Sequence, residues 1–315
     1  MTRVGPPLTH AVVLTAGLGT RLQPLTFVRA KPAVPVAGEP LVRRIIDWLV
    51  GYGVRDLVLN LHHLPHTVSA SVGDGSALGA RVKYSWEQPQ VLGTAGGPRL
   101  AQTVLGVRTF LVVNGDTLTD LRLPDLWSAH TGSDALVTLA LVANTEPQRY
   151  GGVVLNGDGS VGGFVPRGAA ATGTYHFIGV QAVEAEAFEA LRPGAAGNSI
   201  GGVFDRLLAE RSGLIRGYVS DARFWDIGTV RDYWKTSLAL SGGRFEPVGH
   251  NVRIHPSAVV ERSIVWDNVE VGESATIDRC ILTDGVSVAP GSVFRGSVLL
   301  QTGDGRSIGM PFAVD

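Results

Sequence analysis

Two glycines, an arginine and a lysine stand close together near the start of the chain. The stretch LTAGLGTRLQPLT runs from Leu14 to Thr26, and AKPAVPV follows it a few residues on. Gly17 and Gly19 permit a sharp turn after an apolar run and leave backbone N–H groups open to a ligand. Arg21 and, ten residues further, Lys31 add two cations. Such a set can cradle a polyanion, or it can be a turn with ordinary surface charges. The dinucleotide fingerprint is not met, because Leu22 stands where the third glycine of G-x-G-x-x-G belongs, and no GxxxxGK[ST] loop occurs. His62, His63 and His66 in NLHHLPH have the composition of a metal set. The expectation there is plainer: a strand end running into a helix.

Elements must carry these residues. AVVLTA (11–16), DLVLNL (56–61), ARVKYSW (80–86), TFLVVN (109–114) and DALVTLALV (134–142) read as strands, rich in Val and Leu and bounded by Gly, Asp or Asn. EPLVRRIIDWLVGYG (39–53) places Leu41, Ile45, Trp48 and Leu49 at helical spacing and ends at glycines. LPDLWSAHTGSD (123–134) is a shorter helical segment. Strand and helix in turn predict βαβ units: an α/β, Rossmann-like, mostly parallel sheet with helices on both faces. Such sheets take ligands at the carboxyl ends of their strands. Leu14–Thr26 and VVNGDT (112–117) both sit at such ends.

Composition narrows the partners. With 44% apolar and 17% charged residues, the 315-residue chain can bury a large core and is not a disordered one. A net charge of −1 provides no global field for nucleic acid or an anionic membrane, so an anion site must be local. Cys280 is the single cysteine, which excludes an intrachain disulfide. MTRVGPPLTH lacks the apolar centre of a signal peptide, and ALVTLALVA (135–143) is too short to span a bilayer, so the expected location is cytoplasmic.

Residues 251–301 have another texture. They align on themselves with a 17-residue period: NVRIHPSAVVERSIVWD, NVEVGESATIDRCILTD, GVSVAPGSVFRGSVLLQ. Ile254, Val271 and Val288 share a column, as do Ala258, Ala275 and Ser292, and Ile264, Ile281 and Val298. The period predicts a solenoid, and apolar steps of five to six residues suit a parallel β-helix with three flat faces per coil. Cys280 falls in the column of Ser263 and Ser297 and reads as a small packing residue. Two domains are therefore expected, 1–245 and 246–315, with 302–315 as a tail.

Taken together, these motifs resemble the sugar-1-phosphate nucleotidyltransferases, or nucleotide-sugar pyrophosphorylases. LTAGLGTRLQPLT and AKPAVPV follow that family's LAAGxGTRLxPLT and KPxxPV. EQPQVLGTAGGP (87–98) looks like its nucleotide-base segment and VVNGDT like its metal-binding strand end. RYGGVV (149–154) looks like its sugar-side loop, and FWDIGTVRDYW (224–234) like its second metal motif. A left-handed parallel β-helix follows the catalytic domain in several branches. NLHHLPH is similar to stretches in the mannose-1-phosphate guanylyltransferase and muramate-type uridylyltransferase branches.

The resemblance implies Mg²⁺-dependent transfer of a nucleoside monophosphate from a nucleoside triphosphate to a sugar 1-phosphate. Arg21 and Lys31 would hold phosphates, and Ala16, Gly17, Gly19 and Thr20 the nucleotide. Gln88, with Gly93, would read the base. Asp116 and Asp226 would hold Mg²⁺. Tyr150, Gly151, Arg167 and Gly179 would line the sugar site. Where many relatives carry Glu-Lys-Pro, GGFVPRGAA places Pro166 and Arg167, and Phe177 stands in place of an asparagine. Arg167 can replace a charge, but Pro166 cannot replace a carboxylate.

Mannose 1-phosphate with GTP is the first reading. Uridylyl or thymidylyl transfer to another hexose 1-phosphate is an alternative, as is a non-catalytic regulatory homologue that binds nucleotide sugar. An acyltransferase reading of the β-helix is disfavoured: three short coils make no coenzyme A cleft, and His255 is the only histidine in the repeats. The open end of the solenoid would be covered either by the catalytic domain or by a second copy in a homo-oligomer.

Overall fold

The computed structural model describes residues 6–242, 249–303 and 305–312. Two compact units make up the chain: Met1–Gly17 with Val42–Phe224, and Leu18–Leu41 with Trp225–Asp315. The domain boundary expected at 245/246 lies outside the described residues.

The first unit is built on a mostly parallel sheet. Its strands are β1 (His10–Leu14), β2 (Asp56–Leu61), β3 (Arg81–Trp86), β4 (Thr109–Asn114), β5 (Val137–Ala143), β6 (Gly152–Leu155), β7 (Val161–Val165), β8 (Tyr175–Glu184) and β9 (Ile215–Val219). Across the sheet β3, β2, β1 and β4 run parallel. β8 then lies antiparallel to β4 and to β5, and β9 is parallel to β5. The apolar runs explain the arrangement. Val12, Val58, Phe110 and Val112 are all but inaccessible to water, as central strands covered on both faces must be. Each such side chain contributes about 1.5–3 kcal/mol by burial.

The helices are α1 (Leu41–Gly51), α2 (Pro65–Val72), α3 (Gly93–Leu105), α4 (Leu123–Thr131), α5 (Phe204–Glu210) and α6 (Val230–Leu240), the last in the second unit. α1 buries Leu41, Val42, Ile45, Ile46 and Leu49, while Trp48 lies at the edge of that face and donates Nε1–H to the Leu121 carbonyl. NLHHLPH is a strand end entering a helix: β2 stops at Leu61 and α2 begins at Pro65. No helix among the described residues is long and apolar enough to cross a membrane.

In the second unit the 17-residue period becomes three coils and three parallel sheets. Ile254 pairs with Val271 and Val271 with Val288. Val260, Ile277 and Phe294 form the second ladder, and Ile264, Ile281 and Val298 the third. Val265, Val271, Ile277, Leu282, Val286 and Leu299 fill the interior. Cys280 is fully buried in its column, and burial raises its thiol pKa, so it packs rather than reacts.

The corners repeat too. Asn251, Asn268 and Gly285 have φ of 54°, 58° and 72°, and Arg262, Arg279 and Gly296 have φ of 46°, 53° and 53°. A side chain in this left-handed region costs about 1 kcal/mol, which the stacked coils impose at fixed steps. Within the stretch expected as a tail, Ser307–Pro311 pairs antiparallel with Ser297–Gln301 and adds a fourth strand to one face.

Candidate active site

In the first unit, strand ends converge on a buried polar chain. After β1, the Thr15 N–H donates to Asn60 Oδ1 at 2.6 Å, and the Thr15 hydroxyl donates to the Asn60 carbonyl. Asn60 Nδ2 donates to Glu87 Oε1 at 2.6 Å, and the Leu92 N–H donates to Glu87 Oε2 at 2.6 Å. Glu87 is wholly buried, and Asn60 and Thr15 nearly so. The Glu87 N–H donates to Leu61 O at 2.9 Å, and its carbonyl accepts from His62 Nδ1 at 2.8 Å. A carbonyl can only accept, so Nδ1 of His62 carries the proton. Both carboxylate oxygens of Glu87 are thus matched to N–H donors, as a buried charge requires. Gly97 makes room for it: a Cβ there would sit 2.6 Å from Glu87 Oε1 and 2.8 Å from Asn60 Nδ2.

This chain ties Ala16 and Gly17, Gln88 and the start of α3 to three neighbouring strand ends. Gln88, the expected base reader, is exposed beside its pinned neighbour. Gly93 opens α3, where a Cβ would lie 2.8 Å from Asn198 Oδ1 and from Gly197 O. Asp116 follows β4, and the Gly115 N–H donates to Leu14 O at 3.0 Å, holding that turn against the end of β1. Gly179 in β8 abuts the same strand end, since a Cβ there would lie 2.7 Å from Asn114 Nδ2. Of the expected sugar-side residues, Tyr150, Gly151 and Arg167 lie together. A Cβ on Gly151 would meet Val165 O at 3.0 Å and Arg167 N at 3.8 Å. The Tyr150 ring lies 4.1 Å from His176 and 5.6 Å from Phe224, with the Arg149 guanidinium 4.9 Å over Tyr150. Burial in that stack pushes the His176 pKa down to about 4, so its ring is neutral at pH 7.

The second unit holds Gly19, Thr20, Arg21, Lys31 and Asp226. Leu22 and Leu25 are fully buried and anchor the loop, while Thr20 and Arg21 between its glycines and those anchors are exposed. Gly19 has φ +61°, and a Cβ on it would meet Thr26 Cγ2 at 2.7 Å and Lys31 Cβ at 3.2 Å. The turn therefore needs glycine and packs directly on the stem of Lys31. Arg21 and Asp226 flank Gly228: Arg21 Nη1 and Asp226 Oδ2 each lie 3.2 Å from where its Cβ would be. Behind Asp226, Thr229 and Asp232 form a capping box that starts α6.

Among the described residues no three His, Cys, Asp or Glu side chains gather as a closed metal set. Magnesium does not need one, since one or two carboxylates suffice when phosphate oxygens and water complete its shell. Asp116 in the first unit and Asp226 in the second are each a carboxylate, the hard oxygen donor that this ion takes.

Sequence reasoning singled out none of Asn60, Glu87, His176 and Phe224, although Asn60, Glu87 and Phe224 lie within stretches it quoted. A signal existed for the first two. Asn60 interrupts an apolar strand, and Glu87 precedes a helix carrying two consecutive glycines.

Comparison with known proteins agrees with the fold. The Nucleotidyl transferase family matches residues 10–242, and the GlmU-like, C-terminal hexapeptide family matches 241–295. Mannose-1-phosphate guanylyltransferase of Mycobacterium tuberculosis is 32% identical over 262 residues, covering 79% of this chain and 72% of that protein. N-acetylmuramate alpha-1-phosphate uridylyltransferase of Neisseria meningitidis is 35% identical, covering 74% of this chain and 98% of that protein. Among solved structures, HddC from Yersinia pseudotuberculosis superposes with TM-score 0.64 at 24% identity, over 74% of this chain and all of that one. That likeness is one of fold.

Proposed function

The chain belongs to the nucleotidyl transferase family, with curated relatives that are sugar-1-phosphate nucleotidyltransferases, and from that premise we propose Mg²⁺-dependent guanylyl transfer from GTP to mannose 1-phosphate. The observation that carries the substrate reading is the Mycobacterium tuberculosis guanylyltransferase, whose likeness runs over 262 residues. Uridylyl transfer is the competing choice, favoured by the 35% identity to the Neisseria enzyme.

The chemistry suits the residues. A sugar phosphate has its second pKa at about 6, so its oxygen is already a dianionic nucleophile at neutral pH and needs no general base. That oxygen bonds to the α-phosphorus, the α–β bridging P–O bond breaks, and its electron pair leaves on pyrophosphate. No proton need move. The demand on the protein is to bring polyanions together and oppose their charge, as in other phosphoryl transfers. The backbone N–H groups of Ala16 to Thr20 would hold the triphosphate. Arg21 would clamp the departing pyrophosphate with its planar fork. Lys31 would place a point charge on the phosphates. Gln88 would hydrogen-bond the base, and Tyr150, Gly151, Arg167 and Gly179 would line the sugar. Asp116 and Asp226 would hold Mg²⁺, which when bound neutralises phosphate charge. We place this activity in the cytoplasm.

The test is pyrophosphate release with Mg²⁺ across a matrix of nucleoside triphosphates and sugar 1-phosphates, with Asp116→Ala as control. GTP with mannose 1-phosphate should give the highest kcat/KM. Silence across the matrix, from folded protein that still binds nucleotide sugar, would promote the regulatory reading that Pro166 keeps open.

A further inference from the structure

Within the second unit, the β-helix holds one flank of the loop that carries Lys31 directly and the other through Tyr233 of α6. Two residues before Lys31, Arg29 donates from Nε and Nη2 to the two oxygens of Asp284, each at 2.7 Å, and from Nη2 to Asp267 at 2.5 Å. Asp267 and Asp284 are one coil apart, in the same column of the repeat. The third coil has Gln301 there, so the grip is built from two coils. The Arg29 guanidinium also lies 5.4 Å from the ring centroid of Trp266, and its side chain is only 15% exposed.

Four residues after Lys31 comes the second hold. The Tyr233 hydroxyl donates to Pro35 O at 2.7 Å and accepts from Trp266 Nε1 at 2.9 Å. Tyr233 and Trp266 are both fully buried. Adjacent residues of one coil therefore serve both flanks of Lys31, Asp267 directly through Arg29 and Trp266 through Tyr233. Tyr233 sits on α6, the helix that begins just after Asp226. A solitary exposed ion pair would carry little meaning. A bidentate arginine shared by two carboxylates and stacked on a buried indole is a fixed joint.

We propose that the β-helix is a positioning element for transfer, acting through Arg29, Asp284, Trp266 and Tyr233 to set Lys31 against the phosphates. This rests on the nucleotidyltransferase reading for its activity arm. None of the four touches substrate in this scheme; each is a positioning residue. A lysine on a four-carbon stem supplies charge but no geometry of its own, so the loop's placement determines its worth.

The experiment compares full-length Arg29→Met and Asp284→Asn with the wild type in two measurements. Hydrogen exchange over residues 25–36 reports the brace without substrate, and should quicken in both variants while the β1 and β2 amides keep their protection. Pyrophosphate release should fall on the order of 10–100-fold in kcat/KM, the scale of a misplaced catalytic group. The deciding comparison places Arg29→Met in a Lys31→Ala background. If the brace acts through Lys31, the second substitution adds no more than about twofold to the loss. Multiplying losses would show a general stability effect and overturn the proposal, as would unchanged exchange over 25–36. Should wild-type protein release no pyrophosphate with any substrate pair, the activity reading fails and the exchange result alone decides whether the brace exists. Asp284→Asn, which keeps shape and volume, serves if Arg29→Met does not fold.

Discussion

The two units hold their candidate site residues by different physics. In the first, Ala16, Gln88 and the start of α3 are tied to strand ends by the Thr15–Asn60–Glu87–Leu92 chain, buried and matched donor to acceptor. In the second, the Lys31 loop is tied to a β-helix by a forked ion pair and a buried Trp–Tyr hydrogen bond. The signature LTAGLGTR crosses from one to the other between Gly17 and Leu18. A buried chain tolerates no unmatched change of hydrogen-bond polarity. A fork at partial exposure tolerates it better but depends on a separate module having folded. One motif, continuous in sequence, therefore has two kinds of vulnerability.

The largest effect should be the same on both sides. If Asp116 and Asp226 act as proposed, Asp116→Asn and Asp226→Asn should each lower kcat by about 10²–10³-fold, as removal of one preorganised electrostatic group does. Steady-state pyrophosphate release checks this. A variant retaining more than half the activity would remove that carboxylate from the chemistry.

The next effect separates the units. Glu87→Gln faces an N–H donor with an NH₂ group inside the core, and should cost about 3 kcal/mol in denaturant unfolding. Asn60→Asp with Glu87→Gln inverts the polarity of the link. The carboxylate introduced at position 60 would then accept from the Thr15 N–H and from the new amide at position 87, whose oxygen still accepts from Leu92. The double variant should recover most of the loss. If it is worse than the single variant, the hydrogen-bond account of this anchor is wrong.

Much of this was legible in sequence, and the rest fails for identifiable reasons. Val and Leu runs marked the strands at 56–61 and 109–114 to the residue, because a buried parallel strand is apolar along its length. The 17-residue period placed the three ladders because stacked coils repeat side-chain columns. α3 was obscured, since Gly96, Gly97 and Pro98 are poor helix formers present for close packing. Glu87 was hidden because its partner Asn60 is 27 positions away, and Arg29 because Asp284 is 255 positions away. Motif residues announce themselves by type and spacing; the residues that hold them still are visible only once the chain has folded.

The smallest effect concerns the Tyr150–His176–Phe224 stack. The His176 pKa, about 4 in the fold, lies below an unfolded value of about 6.5. The unfolded chain then binds more protons between those values, so stability is full above about pH 6.5 and declines as pH falls towards 4. Between pH 7 and 4.5 the wild type should lose about 2 kcal/mol more than His176→Phe. Parallel pH profiles for the two proteins would show that this ring is not held neutral by burial.

The most direct measurement is the fate of phosphorus. A ³¹P NMR time course with GTP, mannose 1-phosphate and Mg²⁺ should show the sugar phosphate resonance replaced by a diphosphate diester, with pyrophosphate appearing in equal amount. Guanosine diphosphate with inorganic phosphate, or guanosine monophosphate with the sugar phosphate untouched, would mean hydrolysis rather than transfer and would contradict the account.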